Sequence, residues 1–278
     1  MFRRKKKPAR EPPEVFGYDR DALVSLVKRH YQLLVDMGHL HPEAVQAPPE
    51  PAGWSDAELN VDALRTLGRS ETVIDLLRHL PYPRAGPPGS DAADGDAMVY
   101  YETMVLSYLR NKWQPEKDDD PSWHQLPFAM LGLAPFDKPV PPHIVSLTHE
   151  EAEVGVIWVI NTERGCIYPH GDDYYLYDDA PPEAEEDKPW LSAKALSFQT
   201  FFDKIHNEIS SLKLVPAPAA GNFGAAIRAP KDPEAKAIKI LYREYGWPDA
   251  FRKEEFLRAA VPARAAIMDD QYDWSDEN

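Results

Sequence analysis

Residues 197–212, SFQTFFDKIHNEISSL, set Ser197 ahead of Phe198, Phe201, Phe202, Ile205, Ile209 and Leu212. Spacings of three and four put these apolar side chains on one helical stripe, and a serine hydroxyl before the first turn supplies an N-cap. A stripe that wide is built to cover a sheet. The strands for that sheet lie upstream. Met98 to Leu109 reads as one long strand, because Val99, Tyr100, Tyr101, Thr103, Val105 and Tyr108 are β-branched or aromatic. Shorter strands are expected at 144–147, 154–160, 166–168 and 174–177. The loop Asn161-Thr162-Glu163-Arg164-Gly165 between two of them carries the glycine that hairpin loops favour.

Further upstream the period is helical. Leu23, Val27, Tyr31 and Leu34 predict a helix from about Asp19 or Asp21 to Met37, closed by Gly38. Ser55-x-x-Glu58 is a capping box ahead of Val61, Leu64 and Leu67. Val73, Ile74 and Leu77 mark a third helix that Pro81 and Pro83 stop. Downstream, Asp232 and Pro233 open a helix through Ile238, Leu241, Tyr242 and Tyr245, and a second short helix holds Phe251, Phe256 and Leu257. The fold class is therefore α+β: a mostly antiparallel sheet covered by helices, with N-terminal helices and a C-terminal helical extension. Residues 1–17 read as a disordered basic arm, 18–215 as the main domain and 216–231 as an alanine-, glycine- and proline-rich linker. Residues 232–260 read as the helical extension and 261–278 as an acidic disordered tail.

The 278 residues carry 46 acidic against 31 basic side chains, a net charge of −15, which argues against bulk binding of nucleic acid or anionic lipid. The 28 prolines belong mostly in connections. Cys166 is the only cysteine, so no internal disulfide forms and no cysteine-based zinc cluster exists. With no secretory pattern and no run of apolar residues long enough to span a bilayer, a cytoplasmic or nuclear location is expected, without membrane attachment. Arg3, Arg4, Lys5, Lys6 and Lys7 form a basic run that an import receptor could read.

Candidate chemistry is sparse. His170, Asp172 and Asp173, followed by Asp178 and Asp179, bring an imidazole and carboxylates close enough in sequence to hold a hard cation, although Gly171 and the aspartates also suit a turn. His39 with His41, and His143 with His149, lack the helical spacing of a metalloprotease. Cys166, between Gly165 and Ile167, reads as a small buried hydrophobe. Phosphate-cradling, dinucleotide and serine-elbow motifs are all absent, so no cofactor is expected. The aromatic residues Tyr242, Tyr245, Trp247, Phe251 and Phe256 sit on helices too short to stand alone. They are the candidate partner-binding or self-docking set.

Leu80-Pro81-Tyr82 after an early helix, then Gly165-Cys166-Ile167-Tyr168, then the Ser197-Phe198 start of the closing helix resemble the SUKH superfamily over residues 70–212. That superfamily includes fungal cell-wall-synthesis regulators and bacterial toxin-immunity proteins. The chain departs from its pattern after Pro83, where a glycine-, proline- and aspartate-rich loop stands in place of a helix and an Asn-Gly pair. The resemblance implies an α+β scaffold that binds an as yet unspecified protein and catalyses nothing. A non-enzymatic interaction or regulatory protein is therefore the leading expectation. A metal-assisted hydrolase using Asp172, Asp173 and His170, and a structural subunit of a larger assembly, are its competitors. Oligomeric state is not encoded in any of these patterns.

Overall fold

A computed structural model describes residues 15–59, 61–109, 140–151, 155–171, 189–220 and 224–272. The N-terminal helices form where their caps place them. Helix α1 (Arg20–Asp36) starts at Asp19, whose side chain accepts from the Ala22 amide, and buries Leu23, Val27, Tyr31 and Leu34. After the short strand β1 (Val45–Gln46), α2 (Asp56–Leu59) opens on a reciprocal capping box. The Ser55 amide donates to Glu58 Oε2 at 2.9 Å, while the Glu58 amide donates to Ser55 Oγ at 3.3 Å. Helix α3 (Val61–Thr66) and the Ser70-capped α4 (Glu71–His79) follow. Strand β2 (Tyr82–Pro83) then pairs antiparallel with β1.

The stretch read as one long strand is folded back on itself. Strands β3 (Met98–Tyr100) and β4 (Thr103–Val105) pair antiparallel across Tyr101 and Glu102, and Glu102 takes a φ of 46°. No turn-forming residue announces this bend, which tertiary contact enforces. Gly155, at φ 123°, approaches so closely that a Cβ there would lie 1.9 Å from the Glu102 carbonyl oxygen, and the Val156 amide donates to Thr103 Oγ1. Strand β4 also pairs with β6 (Thr148–Glu150).

The larger sheet runs in the order β5 (Ile144–Ser146), β7 (Ile157–Asn161), β8 (Cys166–His170) and β9 (Leu196–Ser197), antiparallel throughout. Its alternation divides two hydrophobic clusters. Trp158, Ile160 and Ile167 join the main core with the helices, whereas Ile157, Val159, Cys166 and Tyr168 pack with Trp190 and Ala193. Phe16 packs against that second cluster, and its amide donates to the Arg164 carbonyl at 2.9 Å. The last residues of the expected basic arm are therefore docked on the β7–β8 hairpin. Gly165 permits this, since a Cβ there would lie 2.2 Å from the Gly17 backbone.

Helix α5 (Phe198–Ser210) carries the deciding stripe, with Ser197 accepting from the Thr200 amide. Phe201, Phe202, Ile205 and Ile209 are fully buried, and Trp158 meets Phe201 and Phe202 edge-on at 5.3 and 5.6 Å between ring centroids. Beyond α5 the expected linker is instead an antiparallel ribbon of β10 (Val215–Ala217) and β11 (Ala226–Arg228). Its Val215, Ala217 and Ile227 side chains are buried, which offsets the entropy of ordering a proline-rich stretch. Helix α6 (Pro233–Glu244) is followed by α7 (Lys253–Tyr272), which continues through most of the expected acidic tail. Burial of Ala260, Arg264 and Met268 holds that extra length. No helix among the described residues is long and apolar enough to cross a membrane.

Two buried histidines tie α1 and the residues after it to β3. His30 Nε2 contacts the Val99 carbonyl at 2.7 Å and His39 Nε2 the Met98 carbonyl at 2.8 Å. Burial outweighs these bonds and lowers both pKa values from 6.5 to about 4. The unfolded chain therefore binds protons first as pH falls below about 6.5. Urea denaturation from pH 8 to pH 4 should show stability intact above about 6.5 and lost progressively down to about 4, by about 3 kcal/mol per histidine at most. A flat profile would show that the folded protein accommodates the imidazolium. Separately, Phe202→Ala should lower stability by about 3–5 kcal/mol, read as a fall in the urea midpoint. An unchanged midpoint would contradict the packing described.

Candidate functional site

The aromatic set assigned to a partner packs together, two of its rings buried and three half-buried. Tyr242 and Phe256 are fully buried and stack at 4.1 Å between centroids, with Phe251 and Trp247 around them. The Tyr242 hydroxyl lies 2.9 and 3.0 Å from the carbonyls of Met37 and Pro216, joining α6 to the end of α1 and to β10. Tyr245 lies under the Arg252 guanidinium at 5.5 Å. Of these five residues Tyr242 and Phe256 are buried in the body of the protein, while Tyr245, Trp247 and Phe251 stay half-buried at its edge. Tyr242 reaches the stretch expected to be a linker, where its hydroxyl meets the Pro216 carbonyl of β10.

Polar contacts fasten the same region. Helix α6 and Trp247, two residues beyond its C-cap, supply donors to the carbonyls at the end of α5. Trp247 Nε1 donates to Ser210 at 2.7 Å, Arg243 to Ser211 at 3.3 Å and Lys239 to Leu212 at 2.8 Å. Helix C-termini leave carbonyls of this kind unpaired and carry partial negative charge, so cationic donors suit them. Glu234 and Arg264, each 1% exposed, pair at 2.5 Å. Arg264 also donates to the carbonyls of Pro218 and Gly224, while Arg228 holds the other Glu234 oxygen at 2.9 Å. This ionic group locks α7, α6 and the β10–β11 ribbon together.

The residues with candidate chemistry are scattered. His170 Nδ1 lies 3.2 Å from Ser192 Oγ. Asp172, Asp173, Asp178 and Asp179 fall outside the described residues, as do Arg3, Arg4, Lys5, Lys6 and Lys7. His39 is buried, whereas His41 caps a short 3-10 turn by accepting from the Glu43 amide. His143 contacts Glu163 at 3.2 Å, and His149 contacts Asp96 at 3.4 Å. Cys166 is buried in the second cluster, and that burial pushes its thiol pKa up, away from the reactive thiolate. Among the described residues no group of three or more His, Cys, Asp or Glu side chains is placed to hold a metal ion.

The outer face of α6 is different in kind. Ala235, Ile238 and Tyr242 make its buried face, yet Ile240 on the other side is 65% exposed. Lys236, Lys239, Arg243 and Glu244 surround it. Reading the α6 stripe from Ile238, Leu241, Tyr242 and Tyr245 alone leaves Ile240 unaccounted for. Its signal is an aliphatic residue off the apolar period, set among cations.

Arg264→Met should cost about 3–5 kcal/mol, because it leaves the Glu234 carboxylate buried with less compensation. The check is the urea midpoint, and a loss under about 1 kcal/mol would show the carboxylate reaching water. Comparison with known proteins finds no family model, no curated protein and no solved structure that matches this chain.

Proposed function

We propose that this chain is a non-catalytic protein-binding or regulatory module, acting in the cytoplasm or nucleus, whose contact surface is the outer face of α6. The observation that carries this reading is the exposure of Ile240 within a rim of Lys236, Lys239, Arg243 and Glu244. A β-methyl-branched side chain held in water on a docked helix gains by being covered, and charged groups around it can select what covers it. The likeness of residues 70–212 to the SUKH superfamily supports the same reading, since its members act by binding. The buried charges described above support it too. Glu234, Arg264 and Arg228 are engaged in holding the fold, which leaves them unsuited to turnover.

The test compares full-length protein with Ile240→Asp, each immobilised, with retained proteins identified and then titrated as purified components. A partner that binds the wild type directly and binds the variant at least about tenfold more weakly supports the reading, a factor equal to about 1.4 kcal/mol. Equal affinity for both would place the contact elsewhere and remove the proposal.

A further inference from the structure

Lys236, Ile240 and Glu244 stand at positions i, i+4 and i+8 of α6, so they form one row along the helix. All three are exposed, and neither the Lys236 ammonium nor the Glu244 carboxylate has a partner among the described residues. The helical rise sets the Cα atoms of the two charged residues about 6 Å to either side of that of Ile240. The row therefore reads cation, apolar, anion. Turned end for end, it reads anion, apolar, cation.

From this self-complementarity we infer that the outer face of α6 docks on the same face of a second copy of this chain. A two-fold axis passes through the Ile240 pair. The inference rests on the binding role proposed for this surface and names its partner. Around such an axis Ile240 covers Ile240 of the second copy, and Lys236 of each copy faces Glu244 of the other. An isologous two-fold contact is the commonest form of association between identical chains. An isolated exposed aliphatic residue is ordinary on a protein surface. The oppositely charged flanks at equal distances are what give this one a preferred companion. A purely acidic partner would meet Glu244, and a purely basic one would meet Lys236. A second copy answers both ends of the row. Lys239 and Arg243 are already turned to the carbonyls of Leu212 and Ser211, which keeps them from crowding the row. The overall charge of −15 opposes approach at long range but is screened beyond about 8 Å at physiological salt. One helix crossing buries less than the roughly 1,200 Å² of a stable complex, so the dimer is weak and concentration-dependent.

Sedimentation equilibrium of the full chain over a concentration series tests this, with Lys236→Glu, Glu244→Lys, the double variant and Ile240→Asp alongside. Each single reversal puts like charges opposite each other at both symmetry-related contacts, and should weaken self-association about tenfold or more. The double variant restores opposite charges and should return the dissociation constant to within about threefold of the wild type. Ile240→Asp should leave only monomer. Far-UV circular dichroism verifies that each variant keeps its fold, as expected for exposed positions. A wild type that stays monomeric at every concentration overturns the inference. So does a double variant no better than either single one, or a dimer that persists in Ile240→Asp. If the wild type is monomeric while Ile240→Asp still loses a purified partner, self-association falls and the binding role of the surface stands. If charge exchange rescues the dimer while captured partners ignore Ile240→Asp, self-association stands and the broader role falls.

Discussion

The edge-on packing of Trp158 against Phe201 and Phe202 is the contact on which the remaining architecture hangs. It joins the central strand β7 to α5, and the ring of His30 from α1 meets the same indole at 5.6 Å and Phe202 at 6.2 Å. Three elements distant in sequence thus share one aromatic junction, whose perpendicular rings match the quadrupole preference of such pairs. Once β7 is held there, its alternation dictates the second cluster on the opposite face, and Gly165 at its hairpin lets the chain before α1 lie across the loop.

Much of this was legible where a local signal and a tertiary need coincide. Ser197 and the Ser55–Glu58 pair are caps whose chemistry depends on neighbours in sequence, and each starts a helix as read. The hairpin at Asn161–Gly165 was legible for the same reason. The Asn161 side chain accepts from the amides of Glu163 and Arg164, which is a local turn device. The bend at Tyr101–Glu102 was not legible, because no turn-forming residue marks it and the backbone it packs on, at Gly155, is more than fifty residues away. The β10–β11 ribbon was hidden for a related reason. Alanine, glycine and proline read as a flexible connector, whereas the burial of Val215, Ala217 and Ile227 comes from tertiary packing.

The candidate surface was legible only by subtraction. Aromatic residues on short helices mark the C-terminal region as one that needs a surface to pack on, and Tyr242 and Phe256 are buried there. The exposed residue is Ile240, a single aliphatic side chain too small to stand out in a composition or a motif. It becomes visible when the buried face of α6 is fixed by Ala235, Ile238 and Tyr242 and one large apolar residue is left over.

The bonds from Lys239, Arg243 and Trp247 to the last carbonyls of α5 have one more consequence. They fix not only where α6 lies but its angular setting about its own axis, since a rotation by one residue would pull these donors from their acceptors. The outward row on α6 is thereby held at a set azimuth, while Tyr242 is pinned from within. A surface presented so rigidly surrenders little backbone entropy when it is covered. Its affinity for any companion is then decided by the few side chains on the row, and one substitution among them can exchange one companion for another.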